Sequence, residues 1–221
     1  MWEVDELVEP RIASQNPSSG PGWKATSPAI AVLRHQLDAA TSAADHTAVL
    51  EAFWSQLETT PLLETDEWVE VTGDDPANTR IVTFLWRCSP EHYPRVLLYA
   101  DSLLDGHTIE ACLMENLPGT DLWHLSCRMA PDWRASYVFH PLSADEWLKW
   151  SQRGQSPSRR ALESGRNDPR NPYTCLNRSG HPMSVVELAD APPQPWLVRR
   201  EDVALRGSVT KLRPSNGRKC K

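Results

Sequence analysis

Arg80-Ile81-Val82-Thr83-Phe84-Leu85-Trp86-Arg87 is the stretch from which the fold is read. β-branched and aromatic residues dominate it. Alternation puts Val82, Phe84 and Trp86 on one side and Ile81, Thr83 and Leu85 on the other. A surface strand has one apolar side, whereas this one has two. It is expected at the centre of a sheet, covered on both faces.

Its neighbours in sequence support a mainly β chain. Arg95-Val96-Leu97-Leu98-Tyr99 follows Pro94 as a further strand. The turn Leu117-Pro118-Gly119-Thr120-Asp121 leads into residues 122–129, where Trp123, Leu125, Cys127 and Met129 share one face and His124, Ser126 and Arg128 the other. Pro131-Asp132 turns the chain into residues 134–140, with Ala135, Tyr137 and Phe139 alternating, and residues 185–188 form a brief last strand. Strands joined by turns without intervening helices describe an antiparallel β-sandwich.

Helices precede the strands. Ser27-Pro28 supplies an N-cap and a first-turn proline, and Ile30, Leu33 and Leu37 repeat at helical spacing up to about Ala43. A second helix from about Asp45 carries Val49, Leu50, Phe53, Trp54 and Leu57 on one stripe until Pro61 stops it. These helices need an apolar surface to cover. Residues 68–72 alternate briefly before the turn cluster Asp74-Asp75-Pro76-Ala77-Asn78, and residues 143–152 start as a capped short helix. The chain therefore divides into a flexible segment 1–27, a helical lead-in plus sandwich 28–152, a polar surface excursion and proline-rich connector 153–198, and a basic end 199–221.

The 221 residues allow one domain with appendages. With 40% hydrophobic and 24% charged residues, the chain reads as soluble and globular. No apolar run approaches the roughly 20 residues of a spanning helix, so no membrane association is expected. The acidic start Met1-Trp2-Glu3-Val4-Asp5-Glu6 opposes a basic leader and points to the cytoplasm. Residues 199–221 carry eight basic and two acidic groups, without interleaved aromatics. They read as a solvated tail rather than a nucleic-acid site.

Catalytic signatures are missing. No Gly-x-Ser-x-Gly, Gly-x-Gly-x-x-Gly or Gly-x-x-x-x-Gly-Lys occurs, and the seven histidines include no His-x-x-x-His. Cys88, Cys112, Cys127, Cys175 and Cys220 contain no Cys-x-x-Cys and read as reduced thiols. No metal or cofactor is expected. His124 and His140 lie on strands and either point at a shared cleft or are solvent-facing or hydrogen-bonded imidazoles, the latter favoured, while Cys127 falls on an apolar face and reads as core. Trp86 and Trp123 also read as core, and Trp133, in a turn, is expected nearer the surface. Arg87 and Arg134, at the ends of neighbouring strands, either meet an anionic ligand or pair with carboxylates. The candidate ligand-binding residues are thus Arg87, Trp133 and Arg134.

Several segments together resemble one family. They are Phe53-Trp54 with Thr60-Pro61-Leu62-Leu63-Glu64; Val82-Thr83-Phe84-Leu85-Trp86-Arg87; Leu117-Pro118-Gly119-Thr120-Asp121-Leu122-Trp123; and Asp132-Trp133-Arg134-Ala135-Ser136-Tyr137-Val138-Phe139. Asp168-Pro169-Arg170-Asn171-Pro172 and the run from Ser184-Val185-Val186-Glu187-Leu188 to Pro192-Pro193-Gln194-Pro195-Trp196 complete the set. In order, these are similar to the N-terminal domain of enterochelin (ferric enterobactin) esterases.

The resemblance implies an immunoglobulin-like early-set β-sandwich followed, in that family, by an α/β-hydrolase domain that opens the ester backbone of a catecholate siderophore in the cytoplasm during iron acquisition. Arg206-Gly207-Ser208-Val209-Thr210-Lys211-Leu212-Arg213 looks like the first strand of such a hydrolase. Its serine, histidine and acid would fall beyond Lys221. The expectation is a truncated or split member without catalytic residues of its own, either inert alone or positioning a ferric catecholate siderophore for a separately encoded hydrolase chain. Two other readings stay open. Early-set sandwiches with Gly-x-x-x-Trp turns also resemble carbohydrate-binding modules, and a sandwich edge can serve a structural protein-interaction domain.

Overall fold

A computed structural model describes residues 23–65, 79–100, 103, 109–151 and 162–194. The acidic start, the run 68–72 with its turn, Trp196 and the basic end lie outside these residues.

Two helices, α1 (Pro28–Ala39) and α2 (Ala43–Gln56), come first. Eight strands follow: β1 (Leu62–Thr65), β2 (Arg80–Arg87), β3 (Arg95–Ala100), β4 (Glu115–Asn116), β5 (Leu122–Met129), β6 (Arg134–Leu142), β7 (Thr174–Leu176) and β8 (Pro182–Glu187). A short helix, α3 (Ala144–Ser151), follows β6. The strands form two four-stranded sheets, ordered β1-β2-β5-β4 and β3-β6-β8-β7. All pairings are antiparallel.

The strand β2 is central, as its two apolar faces require, with β1 on one side and β5 on the other. Val82 and Phe84 point into a core shared with Leu125, Cys127 and Met129 of β5, Val96 and Leu98 of β3, and Tyr137 and Phe139 of β6. The sheets therefore pack face to face, and Phe84 meets Tyr137 edge-on at 4.9 Å. Leu85 points the other way, into a second cluster with Ile30, Leu33, Leu37, Leu50 and Trp54 of the helices. That is the surface the helices cover. Each such aliphatic side chain contributes about 1.5–3 kcal/mol on burial.

The helix starts follow their sequence signals. The Ser27 hydroxyl accepts from the Ile30 amide, and Pro28 occupies the first turn, where no amide donor is needed. Glu64 of β1 ties this start to the first sheet, accepting from the Ala29 amide at 2.8 Å and the hydroxyls of Ser27 (2.6 Å) and Thr83 (2.9 Å). The first helix ends at Ala39, earlier than the expected Ala43, because Ser42 caps α2 by accepting from the Asp45 amide. At α3, Ser143 and Glu146 cap each other reciprocally.

Three strands, β1, β4 and β7, go beyond those expected from the sequence. Part of the predicted surface excursion is built into the second sheet. Arg166 exchanges both backbone hydrogen bonds with Phe139, and Leu162, Asp168, Asn171 and Met183 are buried. Gly165 permits this approach, since a Cβ there would stand 2.8 Å from the Phe139 carbonyl oxygen and 2.7 Å from Nε2 of His140.

Candidate functional site

At the end of β2, Arg87 reaches between α2 and the turn before β5. Its Nε donates to Oδ2 of Asp121 at 2.7 Å, and both terminal nitrogens donate to the Glu51 carboxylate. The guanidinium also lies 5.5 Å from the centre of the Trp54 ring, and that of Arg170 lies 5.2 Å from the same ring. The hydrogen bond to Glu51 pushes the Arg87 pKa further up, and Arg87 in turn holds Glu51 below the usual carboxylate range. The Arg87 side chain is 38% exposed, so solvent screens these pairs and they add little to stability. Their effect is to fix a cation above a buried indole.

Arg134 lies elsewhere. Its NH2 group pairs with Glu187 at 2.5 Å and its NH1 group donates to the Pro192 carbonyl at 2.8 Å. Register places Arg87 opposite Leu122, the first residue of β5, whereas Arg134 follows the turn after Met129, the last. The two arginines therefore occupy opposite ends of the molecule, on strands of different sheets, and share no site. Both are paired with carboxylates, the second of the two expectations for them.

The burial of Trp133 corrects the expectation of a surface position. It is 2% exposed and belongs to the core between the sheets. The turn through Pro131 and Asp132 aims the ring inward, because the Trp133 amide donates to Ala130 while its carbonyl accepts from Leu188. Trp123 is likewise core, and half-buried Trp86 packs against it.

The histidines diverge as well. His124 sits on the outer face of the first sheet, under α1, while His140 sits on the outer face of the second, with its Nε2 2.6 Å from the Leu162 carbonyl. They share no cleft. Since a carbonyl only accepts, Nε2 of His140 carries the proton. Burial lowers both histidine pKa values. In the unfolded chain each imidazole titrates near 6.5, so protons bind the unfolded chain more readily below that pH. The stabilising effect of the neutral rings is fully present above pH 6.5 and is lost on acidification. The free energy of unfolding is expected to fall between pH 7 and 5, by at most about 1.4 kcal/mol per pH unit for each ring. Urea denaturation at a series of pH values checks this, and a smaller slope is expected for His140→Gln; an unchanged slope would contradict the assignment.

Cys88, Cys112 and Cys127 are poor candidates for a nucleophile. Burial pushes Cys88 and Cys112 up to about 11 and Cys127 higher still. Among the described residues no cluster of His, Cys, Asp and Glu could hold a metal ion.

The segment Asp168-Pro169-Arg170-Asn171 carries a buried polar network. Oδ2 of Asp168 accepts from Tyr137 (2.8 Å) and Thr60 (2.7 Å), and Oδ1 accepts from the Arg170 amide (2.9 Å). Asn171 donates to the Tyr137 oxygen and to the Val185 carbonyl, both at 2.9 Å. This network joins the second sheet to the chain leaving α2, and so helps hold Arg170 against Trp54.

A cleft of about 340 Å3 opens between α1 and the β4–β5 edge, lined by Ile30, Arg34, Asp38, Glu115 and His124 among others. Arg34, Asp38 and Glu115 also line an adjoining cleft of about 570 Å3. His124 is 9% exposed, and its Nε2 is buried without a hydrogen-bond partner. The alternation of β5 placed His124 on this face, but nothing in the sequence positions α1 above it.

Comparison with known proteins gives concordant matches. A family model described as enterochelin esterase, N-terminal, matches residues 81–197. The chain is 30% identical over 168 residues to the iron(III) enterobactin esterase of Yersinia enterocolitica, covering 68% of this chain and 45% of that protein. It is 32% identical over 167 residues to the iron(III) salmochelin esterase of Escherichia coli O6:H1, covering 75% and 37% respectively. Among solved structures, the ferric enterobactin esterase from Salmonella typhimurium is 28% identical with a TM-score of 0.48, covering 66% of this chain and 38% of that one. The chain thus spans less than half the length of these relatives.

Proposed function

Because this chain belongs to the enterochelin esterase N-terminal family, we propose that it positions a ferric catecholate siderophore for ester hydrolysis, in the service of iron acquisition in the cytoplasm. The family match carries this reading, supported by curated relatives described as enterobactin and salmochelin esterases. In this proposal residues 28–152 with the strands that follow form an immunoglobulin-like early-set domain, residues up to 198 complete its connector, and a hydrolase domain or chain supplies the reacting groups. No helix among the described residues is long and apolar enough to cross a membrane.

A ferric tris-catecholate is an anion, so arginines are the natural contacts. Arg87 is the stronger candidate and Arg134 the weaker, since Arg134 is more buried and also holds a backbone carbonyl. Trp133 lies in the core between the sheets. A glycan platform would require exposed, coplanar tryptophans, and none of the described tryptophans is exposed.

Trp54 beneath Arg87 makes the test direct. Titrating the chain with ferric enterobactin is expected to change tryptophan fluorescence saturably after inner-filter correction, with no response to maltooligosaccharide. Arg87→Gln is expected to weaken the response about tenfold, the loss of one charge-assisted contact. A folded chain silent towards the siderophore, or responding to the sugar instead, would overturn the proposal.

A further inference from the structure

The cleft under α1 contains a feature that folding alone does not require: His124, nine-tenths buried, lines it, and the buried Nε2 of that ring has no hydrogen-bond partner. Leaving such an atom unpaired costs about 1–3 kcal/mol, which a ligand can recover. The groups around it are of both signs. Glu115 lies directly opposite His124 in the β4–β5 ladder, close enough for side chains to interact. Arg34 and Asp38, four positions apart on α1, share the helix face above. Ile30 and Ala31 supply an apolar wall.

We propose that this cleft binds a small zwitterion of the amino-acid class, with its carboxylate towards Arg34, its ammonium towards Glu115 and Asp38, and a hydrogen bond to Nε2 of His124 at the floor. The mixed charge selects against other ligands. A simple anion meets two carboxylates, and a simple cation meets a guanidinium. The volume of about 340 Å3 lies within the range of small-molecule sites, and the adjoining cleft leaves room for a side chain. A neutral imidazole can either donate to a carboxylate or accept from an ammonium at that nitrogen. This site is separate from Arg87 and does not depend on the siderophore reading.

The test follows the histidine ring protons of the full chain by NMR, with His124 assigned through His124→Gln. Each common amino acid is titrated up to about 10 mM, with acetate and methylammonium as single-charge probes. At least one amino acid is expected to shift the His124 signal saturably, and Arg34→Gln and Glu115→Gln, both at exposed positions, are each expected to weaken binding about tenfold. Neither single-charge probe should saturate. The proposal is overturned if no amino acid shifts His124, if acetate or methylammonium binds as well as the best amino acid, or if ferric enterobactin alone occupies the cleft. Failure of both folded variants to weaken binding overturns it too.

Discussion

Replacing Asp168 by alanine is expected to lower the free energy of unfolding by about 3–5 kcal/mol, a loss typical of breaking a buried polar network. The carboxylate accepts three hydrogen bonds, from Tyr137, Thr60 and the Arg170 amide, and the residue is 2% exposed. Truncation leaves the hydroxyls of Thr60 and Tyr137 buried with no acceptor, and water cannot reach them without a cavity. Asp168→Asn should cost less, because one amide oxygen can still serve both hydroxyls while the amide nitrogen faces the Arg170 N–H. Urea denaturation of the two variants checks the order. If alanine and asparagine both fall within about 1 kcal/mol of the parent, the network does not hold the fold together. The loss should also reach Trp54, since Arg170 follows Asp168 by two residues and lies against that ring.

Trp133→Ala is the second large effect, with an expected loss of about 3–5 kcal/mol for removing a large side chain from a filled core. Val186 and Leu188 share that core, and the backbone of Trp133 holds Leu188. The cavity would therefore lie at the end of the second sheet. Trp133→Phe refills most of the volume and separates packing from recognition. The expected result is a moderate drop in stability with siderophore affinity unchanged. Loss of affinity in a well-folded Trp133→Phe protein would return Trp133 to the binding surface, contrary to its burial.

The strands whose side chains alternate into a core could be read from the sequence. The two apolar faces of β2 implied its central position, and the parity of β5 separated Leu125 and Cys127 from His124 and Ser126. Strands β1 and β7 gave no such signal. Both are edge strands of three or four residues; all of β7 is exposed, and β1 alternates only between half-buried and exposed positions over four residues, too short a run to read. Pairing across long distances was also hidden. Thr60 and Asp168 are 108 positions apart, and neither residue type announces the other. Arg87 and Arg134 looked adjacent because their strands were read as neighbours, but sequence order does not say which strand crosses to the other sheet. The turn geometry that buries Trp133 depends on a backbone contact from Leu188, fifty-five positions later. The segment from Asp168 to Asn171 was visible by resemblance, and its physical role emerged from its hydrogen bonds.

The register of β6 has a dynamic consequence. Residues 134–137 pair with β8 and residues 137–142 pair with β3, so Tyr137 is the one residue paired with both strands, while beyond it Phe139 is bridged by Arg166 instead of β8. The second sheet is therefore two offset ribbons, joined by the four pairs that residues 134–137 make with β8. The β7–β8 ribbon can open while the β3–β6 ribbon stays closed, and amide hydrogen exchange should divide there into two sub-global units. Tyr137, bonded to both Asp168 and Asn171, is the hinge pin of that division.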